Sequence, residues 1–186
     1  MYPWLRLVAR LRSARRLPPA GLLDTHVSQH RVSLFDCDMF AEMNNGRILT
    51  IYEFGRWEMS TRTGLWAAIR KRGWGFAVAG ASVRYRKRLT PWEKFEMRTR
   101  VVGWDARFVY IEQGMFKANG DCANHCLFRT AVVSKGRAVP TADLVEVMDF
   151  KGPAPVLPAW AQAWIDADTQ RPWPPMAEDP SVSLAA

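Results

Sequence analysis

The amino-acid sequence predicts an α+β fold in which an antiparallel sheet wraps around one long central helix. From Asn44 to Gly64, apolar residues recur at helical spacing over four to five turns. Beyond Gly73 the spacing changes to that of strands, and four strand-like segments follow with only short turns between them. A long helix beside such an antiparallel run can bury its apolar residues only if the sheet curls around it. The 186 residues are enough for one domain with short extensions.

The chain before and within the central helix carries clear boundary signals. Residues 26–35 alternate partially and predict a strand that ends before an acidic turn at residues 36–38. Asn44 or Asn45 suits the N-cap of the central helix, because a side-chain oxygen there can accept the free N–H groups of the first turn. Gly64 suits its C-terminal cap.

Four strands with hairpin-type connections are predicted after the central helix. A short helix over residues 65–72 precedes them and ends at Gly73. Turns rich in Gly, Asn, Asp and Pro divide the strand-like segments. These segments cover residues 76–85, 94–102, 108–116 and 126–134.

Composition divides the chain into three parts. Residues 1–24 form a basic amphipathic N-terminal arm, residues 25–150 form the folded domain, and residues 151–186 form a proline-rich tail. Seven of the twelve prolines lie in this tail, which separates it from the domain. Within the tail, residues 158–168 predict a short helix opened by its proline.

The formal net charge of +8 is concentrated in the arm, which carries five arginines and no acid within residues 1–16. The rest of the chain is too sparsely basic for a dedicated DNA-binding domain, so no nucleic-acid partner is predicted. On a helix, four apolar residues share one face with most of the charge elsewhere; they are Trp4, Leu7, Val8 and Leu11. Such a helix either packs on its own domain or a sister subunit, or makes peripheral contact with a membrane.

The three cysteines predict a reducing compartment, and therefore a cytoplasmic protein, with peripheral attachment to a membrane as the alternative. Their odd number, in a chain able to build its own core, argues against a disulfide framework. Cys122 and Cys126 flank His125 and superficially resemble a metal knuckle. No second Cys/His pair stands at zinc spacing, so no metal site is predicted.

The loop before the central helix carries the most specific motif. From Asp36 the sequence reads D-C-D-M-F-A-E-M-N-N-G-R-I-L. This segment resembles the opening motif of the 4-hydroxybenzoyl-CoA thioesterase-like family, D-x-D-x-x-G-H-V-N-N-x-x-Y-L, whose members have the hotdog fold. The family's Glu and Arg further along the helix are matched by Glu53 and Arg56. The chain departs from the motif where Glu42 replaces the usual His and Ala41 replaces the usual Gly.

The resemblance covers roughly residues 25–145 and implies an acyl-CoA thioesterase that releases a free acid and CoA, with no metal or other cofactor. Asp38 matches the family's catalytic carboxylate, which acts as nucleophile or as base on water. The backbone N–H of Asn45 matches the oxyanion donor, and a helix N-terminus supplies such donors together with the positive end of the dipole. Glu42 is a third catalytic candidate, in place of the histidine. The alternative for Asp38 is an Asx-type turn, a role for which Asp36 is the better candidate.

Further residues are expected to bind the substrate. Asn44 would order the loop through its amide, and Gly46 would let the thioester approach closely. Surface cations would capture the phosphates of CoA; the candidates are Arg84, Arg86, Lys87 and Arg88. Glu53 is expected to pair with Arg56 or Arg47 rather than to act on the substrate. Four aromatic residues suggest either an acyl pocket or ordinary core; they are Trp57, Trp66, Trp74 and Phe76.

Two other functions are compatible with the fold. The Glu42 departure motivates a catalytically weak hotdog module that binds acyl groups or acyl-CoA, associated with a membrane through residues 1–16. A hotdog hydratase needs a histidine paired with a carboxylate, but all three histidines lie outside the motif; they are His26, His30 and His125. The family joins two sheets with the ligand at the subunit boundary, so the resemblance implies a homodimer or tetramer.

Overall fold

The structure is a computed structural model that describes residues 2–175. The chain divides into two compact units between Val156 and Leu157. The helices of the first unit are α1 (Trp4–Ala14), α2 (Asn45–Arg62), α3 (Leu65–Lys71) and α4 (Thr141–Val147). Its strands are β1 (His26–Arg31), β2 (Gly75–Tyr85), β3 (Lys94–Trp104), β4 (Val109–Lys117), β5 (Cys122–Ser134) and β6 (Arg137–Ala138).

The strands form one antiparallel sheet in the order β1-β3-β4-β5-β2, with β6 paired to β5. The long helix α2 supplies the centre of the main core, where Ile51, Tyr52 and Phe54 are fully buried. Side chains of β3, β4 and β5 complete that core. The predicted α+β class, one long helix against an antiparallel sheet, is therefore confirmed.

The predicted hairpin-type connection between β2 and β3 is wrong. β2 pairs with β5 and β3 pairs with β1 and β4, so residues 86–93 cross from the edge strand β2 to β3, the strand next to the opposite edge. Backbone contacts hold this crossing segment in place. The N–H groups of Arg86 and Lys87 both donate to the carbonyl of Ala123, at 2.9 Å each, and the N–H of Met43 donates to the carbonyl of Leu89 at 2.8 Å. The remaining two connections, β3 to β4 and β4 to β5, are hairpins as predicted.

Several element boundaries differ from those predicted. β1 ends four residues early, because Leu34–Asp36 form a 3₁₀ turn capped by Ser33. β3 continues through Gly103, where the pairing register shifts, so that glycine marks a bulge rather than a turn. β5 begins at Cys122 rather than at residue 126. The two-residue strand β6 and the helix α4 were not predicted.

The ends of α2 follow the predicted caps. Asn44 is the N-cap, and Gly64 adopts a positive φ of 77° just after the last turn. In the middle of the helix, Gly55 lies against the sheet. A Cβ atom at Gly55 would lie 2.5 Å from Thr99 Oγ1 and 2.8 Å from Gln113 Nε2, so only glycine allows this separation of helix and sheet.

The arm forms a helix, α1, that packs on α2 with a face different from the predicted one. Leu7 is buried, as predicted, but Trp4 and Val8 are exposed. Arg6 and Arg10 turn toward the body of the protein instead, because buried carboxylates lie there to receive them. The structure shows the arm packed on its own domain, as one of the two alternatives has it; peripheral contact with a membrane stays a prediction.

The cysteine segment lies within β5 and alternates as predicted. Asn124 and Cys126 are buried, whereas His125 lies on the other face with Nε2 2.9 Å from Glu112 Oε1. All three cysteines are free thiols.

The second unit contains α5 (Ala159–Thr169), which begins after Pro158 and matches the predicted helix of the tail within one residue. The end of the predicted tail, residues 176–186, lies outside the described residues. Among residues 2–175, no helix is both long and apolar enough to cross a membrane.

Candidate active site

Asp36 organises the loop that leads into α2. Its carboxylate is buried and accepts hydrogen bonds from the Ser33 N–H at 3.0 Å and from Arg6 Nη1 at 2.6 Å. Its other carboxylate oxygen lies 3.4 Å from Arg47 Nε, and its carbonyl accepts from the Asn44 N–H at 2.9 Å. Asp36 therefore ties the loop to α1 and to the first turn of α2, but none of its side-chain contacts is the Asx-type turn that was expected of it.

Asp38, the predicted catalytic carboxylate, is half-buried on the same loop. Its Oδ1 accepts from the Phe40 N–H at 2.9 Å, so Asp38 forms the Asx-type turn of this loop and the expectation that Asp36 would form it is wrong. Its Oδ2 has no hydrogen-bond partner among residues 2–175. The carboxylate therefore has one oxygen fixed in direction and one available to a ligand.

The loop that contains Asp38 is closed by two backbone hydrogen bonds and includes one strained residue, Ala41. The Asp38 N–H donates to the carbonyl of Glu42 at 2.9 Å, and the Ala41 N–H donates to the carbonyl of Asp38 at 3.1 Å. Ala41 has a φ of 55°, a left-handed conformation that favours glycine. The glycine of the family motif at this position thus has a conformational reason, and this chain keeps the conformation with alanine.

The first turn of α2 leaves one backbone donor free. Asn44 Oδ1 accepts from the N–H groups of Gly46 at 2.9 Å and Arg47 at 3.3 Å, and the carbonyl of Asn44 accepts from Ile48 at 2.9 Å. The N–H of Asn45 donates to no atom of residues 2–175. The cap therefore satisfies the neighbouring donors and leaves the predicted oxyanion donor unpaired at the positive end of the helix dipole.

Glu42, in the position of the family's histidine, is paired. Its Oε2 lies 2.9 Å from Nε of Arg88, so one of the four predicted phosphate-binding cations does reach the loop. Arg84 and Arg86 are exposed and are not brought to Glu42 or Asp38 by any contact. Lys87 Nζ lies 4.0 Å from Asp121 Oδ2, on the turn before β5.

A separate apolar cavity of about 270 Å³ lies along the C-terminal half of α2. Phe76, Ala77 and Val78 of the edge strand β2 form part of its wall, and Trp57 of α2 forms another part. The cavity does not include Asp38 or Asn45. Two of the four predicted aromatic residues, Trp57 and Phe76, line it, with their rings 5.7 Å apart.

Two charged residues of α2, Glu53 and Arg56, also line the cavity, and their predicted ion pair is wrong. Glu53 Oε1 accepts from Trp57 Nε1 at 3.1 Å and takes part in no ion pair among residues 2–175. Arg56 Nη1 donates to Gln113 Oε1 at 2.8 Å, and its guanidinium lies 3.9 Å from the centre of the Phe128 ring. Burial lowers the pKa of Arg56 to about 10, against the opposing effect of the Glu53 charge.

The sequence did not predict that Glu53 and Arg56 line an apolar cavity, because the walls of the cavity come from distant parts of the chain. The sequence suggested an acyl pocket or core that includes Trp57 and Phe76, but it did not show that residues of β4, β5 and α4 also meet there. One signal was available in the sequence: Glu53 and Arg56 match the family motif. The interpretation of Glu53 as half of an ion pair gave this match no functional meaning.

Comparison with protein families identifies the type of chain. The family model described as the thioesterase-like superfamily matches residues 32–165. Protein THEM6 of Danio rerio is 34% identical over 156 residues, which cover 83% of this chain and 76% of that protein. Protein THEM6 of Xenopus laevis is 40% identical over 92 residues, covering 50% of this chain and 44% of that protein, so the match spans less than half of the Xenopus protein.

Comparison with solved structures supports the fold. The "probable thioesterase" YbaW of Escherichia coli superposes with a TM-score of 0.61 at 16% identity, over 66% of this chain and 96% of that one. The protein SAV2348 of Staphylococcus aureus, solved in complex with CoA, superposes with a TM-score of 0.59 at 13% identity, over 76% of this chain and 94% of that one. At these identities the likeness establishes a shared fold and no more. The predicted hotdog fold is confirmed.

Proposed function

The chain belongs to the thioesterase-like superfamily, and from this premise we propose that it hydrolyses an acyl-CoA thioester to a free acid and CoA at the N-terminus of α2. The observation that carries this proposal is the unpaired N–H of Asn45, next to the loop that holds Asp38. Thioester hydrolysis passes through a tetrahedral intermediate with a negative oxygen. A fixed donor at that oxygen typically accounts for about 10²–10³ of the rate.

Asp38 supplies the other half of the reaction in one of two ways. As a base, its carboxylate takes a proton from water while the water oxygen attacks the carbonyl carbon; the C–S bond then breaks and the proton passes to the CoA thiolate. As a nucleophile, the carboxylate attacks the carbonyl directly, the C–S bond breaks and the CoA thiolate leaves, so that a mixed anhydride forms; water then hydrolyses the anhydride, which releases the free acid, restores the carboxylate and supplies the proton for the thiolate. The unpartnered Oδ2 suits either route, because Oδ1 is held by the Phe40 N–H.

The cations at the end of β2 and just after it are proposed to bind the phosphates of CoA. Arg84, Arg86 and Lys87 are exposed, and Arg88 lies at the loop through its contact with Glu42. A phosphate that binds Arg88 competes with the Glu42 carboxylate for the same guanidinium. Glu42→Gln should therefore lower KM for acyl-CoA if Glu42 only restrains Arg88, and should lower kcat if Glu42 is a catalytic base.

The apolar cavity along α2 is proposed to receive the acyl group. Glu53 stands eight residues after Asn45, about 12 Å along the helix axis, so an extended acyl group on the oxyanion site could reach the cavity. One wall of the cavity is β2, an eleven-residue edge strand. An edge of this length leaves backbone donors and acceptors unpaired, which supports the expected pairing with a second copy of the chain.

Thiol release from short, long and aromatic acyl-CoAs tests the proposal, with Asp38→Asn as the main variant. Asparagine can still accept from the Phe40 N–H, so it preserves the turn and removes only the charge. We expect kcat to fall by about 10²–10⁴. Asp143→Asn, at an exposed site on α4, is the matched control and should retain full activity. Equal turnover by Asp38→Asn and wild type would exclude Asp38 as the reacting carboxylate.

A specific observation favours one alternative, an acyl-CoA-binding module with weak catalysis. Both candidate catalytic carboxylates have a partner in the protein, Asp38 through Oδ1 in its turn and Glu42 in its ion pair. Tight binding of a non-hydrolysable acyl-CoA thioether, measured by calorimetry, together with no thiol release from any acyl-CoA of the panel, would establish the module instead of the enzyme.

A further inference from the structure

The outward side of α1 is a mixed apolar and cationic surface. We call it the α1 outer face; it consists of Trp4, Leu5, Val8, Arg12, Arg15 and Arg16, all of which are exposed. Trp4 is 65% exposed and Leu5 is 88% exposed. Large apolar side chains are seldom left this accessible on a helix that already buries another face against its own domain.

Buried carboxylates on the body of the protein determine which way α1 faces. Arg6 Nη1 donates to Asp36, and Arg10 pairs with Glu58, through Nη2 to Oε2 at 3.1 Å and through its Nε. Arg10 Nη1 also donates to the carbonyl of Gln29 at 2.8 Å. Because these two arginines are drawn inward, the apolar residues on the opposite side of the helix are held outward in a fixed orientation.

The arginines of the α1 outer face carry charge that no acid among residues 2–175 neutralises. Arg12, Arg15 and Arg16 form no ion pair with any acid of residues 2–175, and residues 1–16 contain no acid. The face therefore joins apolar side chains to a local positive field. This combination is typical of helices that lie in the interface of an anionic bilayer.

The apolar surface continues from α1 to the loop before α2. The rings of Trp4 and Tyr2 lie 4.6 Å apart. Tyr2 in turn lines an open surface depression together with Phe35, which is 89% exposed, and with Asn44 and Gly46 at the N-terminus of α2. Aromatic side chains with one polar end are favoured at membrane interfaces.

We propose that the α1 outer face docks the protein on an anionic membrane surface. Charge decides between this occupant and a second copy of the chain. A symmetric contact between two copies would place arginines against arginines, with no acid on the face to pair them. Phosphate headgroups pair with the arginines, while Trp4 and Leu5 enter the interface. The proposal is independent of thioester hydrolysis, since it concerns a surface and not a reaction.

Co-sedimentation of the full chain with vesicles tests the proposal. Vesicles of phosphatidylcholine with phosphatidylserine are compared with vesicles of phosphatidylcholine alone, each at low and high salt. The test variants are Arg12→Glu/Arg15→Glu and Trp4→Ser/Leu5→Ser. The matched control is Lys135→Glu/Arg137→Glu, which reverses two exposed cations at the turn between β5 and β6. Thermal unfolding shows whether each variant is folded, and sedimentation velocity gives its assembly state.

We expect binding that requires phosphatidylserine and weakens with salt. Each arginine near an anionic surface strengthens binding about fivefold, so Arg12→Glu/Arg15→Glu should reduce binding at least 25-fold by this estimate, and the control should bind like wild type. Trp4→Ser/Leu5→Ser should also bind less. Equal binding by the control and both test variants, or no binding by the wild type, would overturn the proposal. A change of assembly state in the folded test variants would identify the face as a contact between copies instead, and would also overturn it.

Discussion

At the N-terminal end of α2 the candidate catalytic groups lie on an exposed or half-buried loop, whereas further along the helix a carboxylate and a guanidinium line an apolar cavity. The first region contains Asp38, Glu42 and the free Asn45 N–H. The second contains Glu53 and Arg56. The candidate catalytic groups and the apolar cavity are therefore separated along one helix, by about 12 Å between Asn45 and Glu53. The separation suits a substrate with a charged, reactive end and an apolar end.

The largest expected effect compares the carboxylates of the two regions. If the reaction takes place at the helix N-terminus, Asp38→Asn lowers kcat by at least about 100-fold, whereas Glu53→Gln lowers it less than about tenfold and acts mainly on KM. Glutamine keeps an acceptor for Trp57 Nε1, so the fold is preserved. Steady-state thiol release from both variants makes the comparison. A greater loss of kcat in Glu53→Gln would move the reacting centre to the cavity.

The next effect concerns the stability of the protein in acid, to which the buried side chain of His30 contributes. Burial, together with the Arg10 charge, lowers the pKa of His30 to about 3, from 6.5. Below pH 6.5 the unfolded chain therefore binds a proton at His30 that the folded protein does not. Stability from this group is full above pH 6.5 and is lost as pH falls, by about 3 kcal/mol at about pH 4.

Urea unfolding as a function of pH measures this contribution. His30→Gln should reduce the loss of unfolding free energy between neutral and acid pH relative to wild type. His125→Gln, on the exposed side of β5, is the control and should leave more of the wild-type pH dependence in place. Identical pH dependence in His30→Gln and wild type would show that His30 is not buried in its neutral form.

A third effect tests the close contact of helix and sheet at Gly55, within the second region. Gly55→Ala would place a methyl group on Thr99 and Gln113, so the free energy of unfolding should fall by about 1–3 kcal/mol. Gly75→Ala is the control, because its Cβ would lie at an ordinary 3.6 Å from Val133. Chemical denaturation measures both variants. An unchanged midpoint for Gly55→Ala would show that the helix can move away from the sheet at little cost.

The smallest effect belongs to the loop at the N-terminal end. Ala41→Gly relieves a left-handed φ and should raise the free energy of unfolding by up to about 1 kcal/mol. Ala67→Gly in the exposed part of α3 should instead lower it by about 1 kcal/mol, since glycine costs stability within a helix. Thermal unfolding distinguishes the two signs. If Ala41→Gly instead lowers the free energy of unfolding, then alanine stabilises the protein more, by restricting the unfolded chain, than its left-handed φ costs in the folded state.

The sequence was informative wherever a structural feature depends on neighbouring residues. Asn44 and Gly64 mark the ends of α2 because capping is local, and the predicted oxyanion donor follows from the same cap. The face of α1 was predicted wrongly because its orientation depends on Asp36 and Glu58, which lie 30 and 48 residues from their arginines. The crossing between β2 and β3 and the walls of the cavity were missed for the same reason, since they depend on long-range pairing.

Asp36 is a shared partner of the N-terminal arm and the candidate site. One oxygen of its carboxylate receives Arg6 of α1, and the other lies near Arg47 in the first turn of α2. When two contacts share one buried group, the strength of each affects the other, and this thermodynamic linkage is reciprocal. An interaction that fixes α1 in place should therefore also stabilise the first turn of α2, which presents the Asn45 N–H. A ligand that tightens this turn should, in return, hold α1 more firmly against the protein.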